Sequence, residues 1–132
     1  MTIEELRKMA TVDLSMDKTE LDIESMKTPQ MHNKYLILYT DEKLILGKLQ
    51  SDLCILKKDK WLYYTGKISK EELQDRGWET FNLNILKTDI DKFLNSDKDI
   101  INLSNRILFQ KEKVEYLESI IKIINNRQWS IR

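Results

Sequence analysis

One proline and three glycines in 132 residues leave few places to turn a sheet, which disfavours an all-β fold. Cys54 is the single cysteine, so no internal disulfide can form, and this usage fits a reducing compartment. Flanked by Leu53 and Ile55, its thiol is expected to be buried and inert. His32 is the single histidine, so neither a zinc site nor a Ser/Cys–His catalytic pair is expected within one chain. It reads as a surface residue in the first turn of a long helix. Neither GxxxxGK[ST] nor GxGxxG occurs, so the familiar nucleotide-binding loops are missing. Carboxylates abound, but Asp89/Asp91 and Asp97/Asp99 stand at polar helix starts, where they cap and complement the dipole. The chain is therefore expected to be no enzyme and to carry no cofactor and no metal. No apolar run approaches the roughly 20 residues of a membrane span. Glu4 and Glu5 make an opening unlike a signal peptide, so the protein is expected to stay in the cytoplasm where it is made.

What is present is charge and helical periodicity. Charged residues make up 33% of the chain, hydrophobic residues 41%, and mean hydropathy is −0.51. That balance suits a soluble single domain of long amphipathic helices over residues 1–132. The net charge is zero but uneven. Residues 1–30 hold 4 basic against 7 acidic side chains (−3), and residues 31–70 hold 8 against 4 (+4). Residues 71–99 hold 4 against 8 (−4), and residues 100–132 hold 6 against 3 (+3). Basic helices with acidic connectors fit either nucleic-acid contact or charge pairing between subunits.

Along the chain, Thr2 and Glu5 form a capping-box pattern ahead of a short helix ending near Ala10. Asp17 and Glu20 repeat the signal, and residues 1–28 read as an acidic N-terminal arm, irregular over 11–28. Thr28-Pro29 is expected to start the main helix, 29–65, with Thr28 as N-cap. Steps of three and four residues give Tyr35, Tyr39, Glu42, Leu46, Leu49, Leu53, Leu56, Lys60 and Tyr63 as its buried seam. Gly47 interrupts at a cost of about 1 kcal/mol against alanine, for a close helix contact or on a tolerant surface. Gly66 stops the helix. A connector, 66–98, holds a short helix capped by Ser69 and ended by Gly77, plugs at Trp78 and Phe81, and a second short helix capped by Thr88. The last helix, 99–126, has Ile100, Leu103, Ile107, Gln110, Val114, Leu117, Ile121 and Ile124 as its seam. Ile101, Leu108 and Ile120 widen that stripe, and Phe109, Tyr116 and Ile123 lie outside it. This is more apolar surface than one facing helix covers, which points to oligomerisation. The expected fold is all-α: two long antiparallel amphipathic helices with short connecting and N-terminal helices, assembling as an oligomer.

The densest chemistry lies at the end of the main helix. Lys57 through Lys67 hold four lysines and three aromatic rings in eleven residues. Lysines attract phosphate, and flat rings offer surfaces on which unpaired bases stack. Taking Leu56 as the centre of the stripe, Lys57, Trp61 and Tyr64 fall about 80–140° round the helix at roughly 100° per residue. Lys58 falls on the far side, Lys60 at the stripe's edge, and Tyr63 in the core. Trp61 has two readings, facing nucleic acid or anchoring a neighbouring subunit.

The run KDKWLYYTGK, with the SKEEL and RGW that follow it, resembles the signature of the UvsY-type recombination mediators of T-even-like bacteriophages. The earlier TPQMHNKYL and the later SDKDI and ESIIKIINNRQW resemble it too, in register along the whole chain. The resemblance implies a helical homo-oligomer, expected to close as a ring, that binds single-stranded DNA. It implies partnership with a phage recombinase of the RecA type and with the phage single-strand-binding protein that the recombinase replaces. It places the family's basic segment on Lys58 and Lys60, ahead of Tyr63 and Tyr64. Charge and wheel position add Lys57, Trp61 and Lys67, so the expected nucleic-acid-binding set is Lys57, Lys58, Lys60, Trp61, Tyr64 and Lys67. Relatives of this type continue past the NNRxW segment with more basic and aromatic helix, which is expected to contribute to ring assembly. The alternative function is a coiled-coil adaptor or scaffold that never touches DNA.

Overall fold

Thr2 begins the first helix as the sequence predicts. Its hydroxyl accepts from the Glu5 N–H at 3.1 Å, and the Glu5 carboxylate accepts from the Thr2 N–H at 3.3 Å. The computed structural model describes residues 1–15, 21–81 and 85–131, and the side chains of 1–15, 28–81 and 85–126. Five helices follow one another: α1 (Ile3–Leu14), α2 (Leu21–Tyr64), α3 (Lys70–Arg76), α4 (Ile90–Asn95) and α5 (Lys98–Ile131). Among the described residues there is no strand, and no helix is long and apolar enough to cross a membrane.

The chain divides into two compact units, one of residues 1–47 with 108–132 and one of residues 48–107. The long helices α2 and α5 contribute to both and pair antiparallel. In the first unit Leu6 and Ala10 of α1, Met31 and Tyr35 of α2, and Leu117, Ile120 and Ile124 of α5 form one core. The three- and four-residue spacing within each helix puts these side chains on a single face. Asp13 ties α1 to α2, accepting from the Tyr35 phenol at 2.7 Å and pairing with Lys34 at 2.8 Å. Burial opposes its ionisation, yet these two partners hold the carboxyl below its ordinary range.

Several boundaries differ from the sequence-based expectation. Helix α1 runs on to Leu14, because Asp13 and Leu14 both engage the first unit's core. Residues 11–14 are thus helix and not irregular arm; the expected cap at Asp17 and Glu20 lies outside the described residues. Pro29 lies inside α2, which starts at Leu21, so Thr28 is no N-cap. A helix-interior proline loses one backbone hydrogen bond. Here the buried side chains of Thr28, Met31 and Tyr35 hold the turns around it. His32 accordingly sits in the body of the helix and is half-buried. Helix α4 starts after Asp89, not Thr88, and α5 passes Asn125-Asn126, which without glycine or proline are too weak to stop it.

The two seams follow the three–four register closely, and all nine α2 positions are buried or half-buried. Each polar seam position meets a polar partner. The Gln110 amide donates to the Glu42 carboxylate at 2.6 Å and to the Glu42 carbonyl at 2.8 Å, and Lys113 pairs with the same carboxylate at 3.2 Å. A buried polar pair of this kind penalises any slip that would leave one member alone. Cys54, by contrast, is exposed, one residue past half-buried Leu53, because a helical step turns it about 100° off the seam.

Gly47 has nothing within 4 Å of where a Cβ would stand, and no left-handed φ. It is a surface glycine, not a site of close helix approach within the chain. Gly47→Ala is expected to raise stability by about 0.5–1 kcal/mol. An unchanged or lower denaturant midpoint would show that the glycine is needed for packing against another molecule.

Candidate nucleic-acid interface

The second unit is built around the end of α2. Gly66 adopts φ 73° and closes the helix, its N–H bonding the Tyr63 carbonyl at 3.2 Å while the Lys67 N–H bonds the Leu62 carbonyl at 2.8 Å. A residue with a Cβ is strained in this left-handed turn. The reversal carries Lys67 back over the last helical turn, with its ammonium 4.5 Å from the centre of the Trp61 ring. Gly77, at φ 68°, ends α3 by the same hydrogen-bond pattern and directs Trp78 inward.

Behind this corner lies a cluster of rings. Tyr64 stands 5.0 Å from Phe81 and 5.7 Å from Phe93, and Tyr63 lies 5.3 Å from Trp78. Edge-on and tilted contacts of this kind add to the burial of the rings themselves. The expectation that Trp78 and Phe81 plug the bend holds. Tyr64 is a correction: it is half-buried in this cluster, and its phenol donates to Asp97 at 2.5 Å. Burial, and then the Asp97 carboxylate, push that phenol above its ordinary pKa.

Lys60 is the larger correction. It is only 4% exposed and pairs with Asp99 at 2.8 Å and Asp97 at 3.2 Å. The Trp78 ring lies 3.9 Å from its ammonium. With its charge neutralised on one side and covered by an indole on the other, this lysine has no open face for a phosphate. The seam register already contained the signal, since Lys60 falls on the buried line of α2.

Asp97 is the residue whose role the sequence understates. Its Oδ1 accepts from the Ile100 N–H at 3.1 Å and caps α5, while its Oδ2 holds Tyr64 and Lys60. Burial raises the energy of its charged form, but hydrogen bonds from Tyr64, the Ile100 backbone and Lys60 outweigh that and hold its carboxyl below the ordinary range. Arg76 and Asp59 make a further ion pair at 2.6 Å. The Asp97 and Asp99 contacts fix the end of α2 against the start of α5, and the Arg76–Asp59 pair fixes it against α3.

The outer face of the corner is open. Lys57, Lys58 and Lys67 are exposed, and Trp61 is 38% exposed. Lys57 stands four residues before Trp61, on the same helical face. Trp61, Tyr64 and Lys67 also line a cleft of about 790 Å³ whose lining includes Phe81, Ile90 and Lys87. The structure thus gathers three of the six expected residues at one cleft, leaves Lys57 and Lys58 on the adjacent surface, and turns Lys60 inward. Lys87 has no distinguishing sequence signal; only the fold of the connector brings it to this cleft. Among the described residues, no three His, Cys, Asp or Glu side chains converge to hold a metal ion.

The fold and the sequence both have relatives. The recombination protein uvsY of Enterobacteria phage T4 is 19% identical over 132 residues, which span the whole chain and 91% of that protein. Two crystal structures of the bacteriophage T4 recombination mediator protein UvsY, in lattice types II and IV, superpose with TM-scores of 0.84 at 18% identity. They align with 99% of this chain and cover 90% and 92% of theirs, and they show that the fold is shared. A family model described as "Recombination, repair and ssDNA binding protein UvsY" matches residues 9–132. The chain therefore belongs to the UvsY family of recombination, repair and single-stranded-DNA-binding proteins.

Proposed function

We propose that this protein is a recombination mediator that holds single-stranded DNA on the open corner of its second unit and promotes loading of a RecA-type recombinase in place of the single-strand-binding protein. The observation that carries the placement is the exposed indole of Trp61 beneath the Lys67 ammonium, next to the exposed Lys57 and Lys58. Lysines on phosphates supply affinity without reading sequence, as a protein acting on any strand requires. Lys60 and Tyr64 support this surface from beneath. The action is binding and exchange; no bond is made or broken. Several copies would present the corner repeatedly along a strand. Supporting a homo-oligomer are Leu44, Leu108 and Phe109, which are 70%, 59% and 71% exposed in the single chain.

Replacing Lys57 and Lys58 together by alanine tests the placement. Strand affinity is expected to fall for all base sequences, and the slope of log affinity against log salt to flatten by about 0.7 for each phosphate left without its lysine. Helicity should be unchanged, because lysine and alanine are both good helix formers and these side chains are exposed. An unaltered affinity and slope would place the DNA elsewhere.

A further inference from the structure

The cleft behind Trp61 has the wrong chemistry for a surface that only tracks a phosphate backbone. Its walls carry three aromatic rings, Trp61, Tyr64 and Phe81, with the aliphatic Ile90 beside them, and Lys67 and Lys87 on its lining. At about 790 Å³ it falls within the roughly 300–1,000 Å³ range of clefts that take small ligands. Backbone attraction would be satisfied by the exposed lysines alone and needs no recess. Part of the aromatic wall is also held in place: Tyr64 is fixed by its bond to Asp97, and Phe81 packs against Tyr64 and Phe93. A recess of flat apolar surfaces with cations among its lining residues matches one occupant, a nucleobase with the phosphates on either side of it.

Resting on the strand-binding reading above, we propose that this cleft captures an unstacked base of the bound single strand. The base lies against the aromatic wall, and its flanking phosphates fall to Lys67 and Lys87. Asp91 also lines the cleft and repels phosphate, which leaves the lysines as the phosphate contacts. Since every base has a flat face, the capture is tolerant of sequence. It would tilt one base out of the stack per subunit and so keep the strand extended.

The test compares two strands of equal length and charge on the whole 132-residue chain: oligothymidylate, and the same backbone with every base replaced by an abasic tetrahydrofuran unit. Wild-type protein is expected to bind the strand with bases about 10-fold or more tighter, the scale of stacking one or more bases on aromatic side chains. In Trp61→Ala that preference should shrink to near unity, while the salt dependence persists. A strand carrying 5-iodouracil should photocrosslink to Trp61 or Phe81 in the wild-type protein, a readout that does not depend on a variant folding. Equal affinity for both strands with a steep salt dependence would overturn base capture and leave the basic corner as the binding surface. Crosslinks confined to residues away from the cleft would overturn it as well. Failure to bind either strand would overturn the strand-binding reading itself, and base capture with it.

Discussion

Asp97→Ala is expected to destabilise the chain by about 3 kcal/mol, at the lower end of what breaking a buried ion pair costs. The substitution removes the cap of α5, leaves the Tyr64 phenol without its acceptor, and takes one of two carboxylates from Lys60. Lys60 keeps Asp99, whose carboxylate is half exposed, so the loss stays below the extreme. Asp97→Asn should fall between, because its one amide oxygen can still cap the helix or accept from Tyr64, but not both, and the charge is gone. Acid should show the same linkage. The folded pKa of Asp97 lies below its ordinary 3.8, so its contribution is complete at neutral pH. It is lost as pH falls from 3.8 through that lower value. Chemical denaturation between neutral pH and pH 3 should therefore show a shallower acid loss in Asp97→Asn than in wild type. Asp13, shifted in the same direction, retains part of that loss in both proteins. If Asp97→Ala unfolds at the wild-type denaturant concentration, the buried network does not hold the second unit together. DNA binding is the second readout, since strand affinity should fall with the corner that Asp97 and Tyr64 brace.

The second large effect belongs to the first unit. Leu117 is fully buried among Leu6, Ala10, Met31, Tyr35, Ile120 and Ile124. Deleting a core leucine costs about 2–5 kcal/mol, and an aspartate there also carries a carboxylate with no partner into an apolar site. Against a total stability of about 5–15 kcal/mol, Leu117→Asp is expected to abolish the folded first unit. Far-UV circular dichroism and a denaturation curve would measure it. Lys111→Asp on the same helix is the control, because that side chain is exposed and should change stability by no more than about 0.5 kcal/mol. A folded Leu117→Asp protein with wild-type helicity would mean that α1 is not packed as described.

Periodicity, caps and breakers alone determined much of this protein. Steps of three and four residues located both seams, down to their polar members Glu42, Lys60 and Gln110, because burial on a helix repeats with its 3.6-residue turn. The capping box at Thr2 and the left-handed turns at Gly66 and Gly77 were equally legible, since each depends on residues within one turn. Only the tertiary structure decided how those polar seam members are used. Lys60, expected at the DNA strand because the family resemblance places the basic segment there, is claimed by Asp97, Asp99 and Trp78, residues 18 to 39 positions away. Local charge content cannot reveal a partner that arrives through a fold reversal. Likewise Pro29 stays helical because Thr28, Met31 and Tyr35 are buried around it, a packing energy that outweighs a local preference. The cleft is tertiary in the same sense: Trp61 comes from the end of α2, while Phe81 and Lys87 come from the connector, and only the packing of the second unit brings them together.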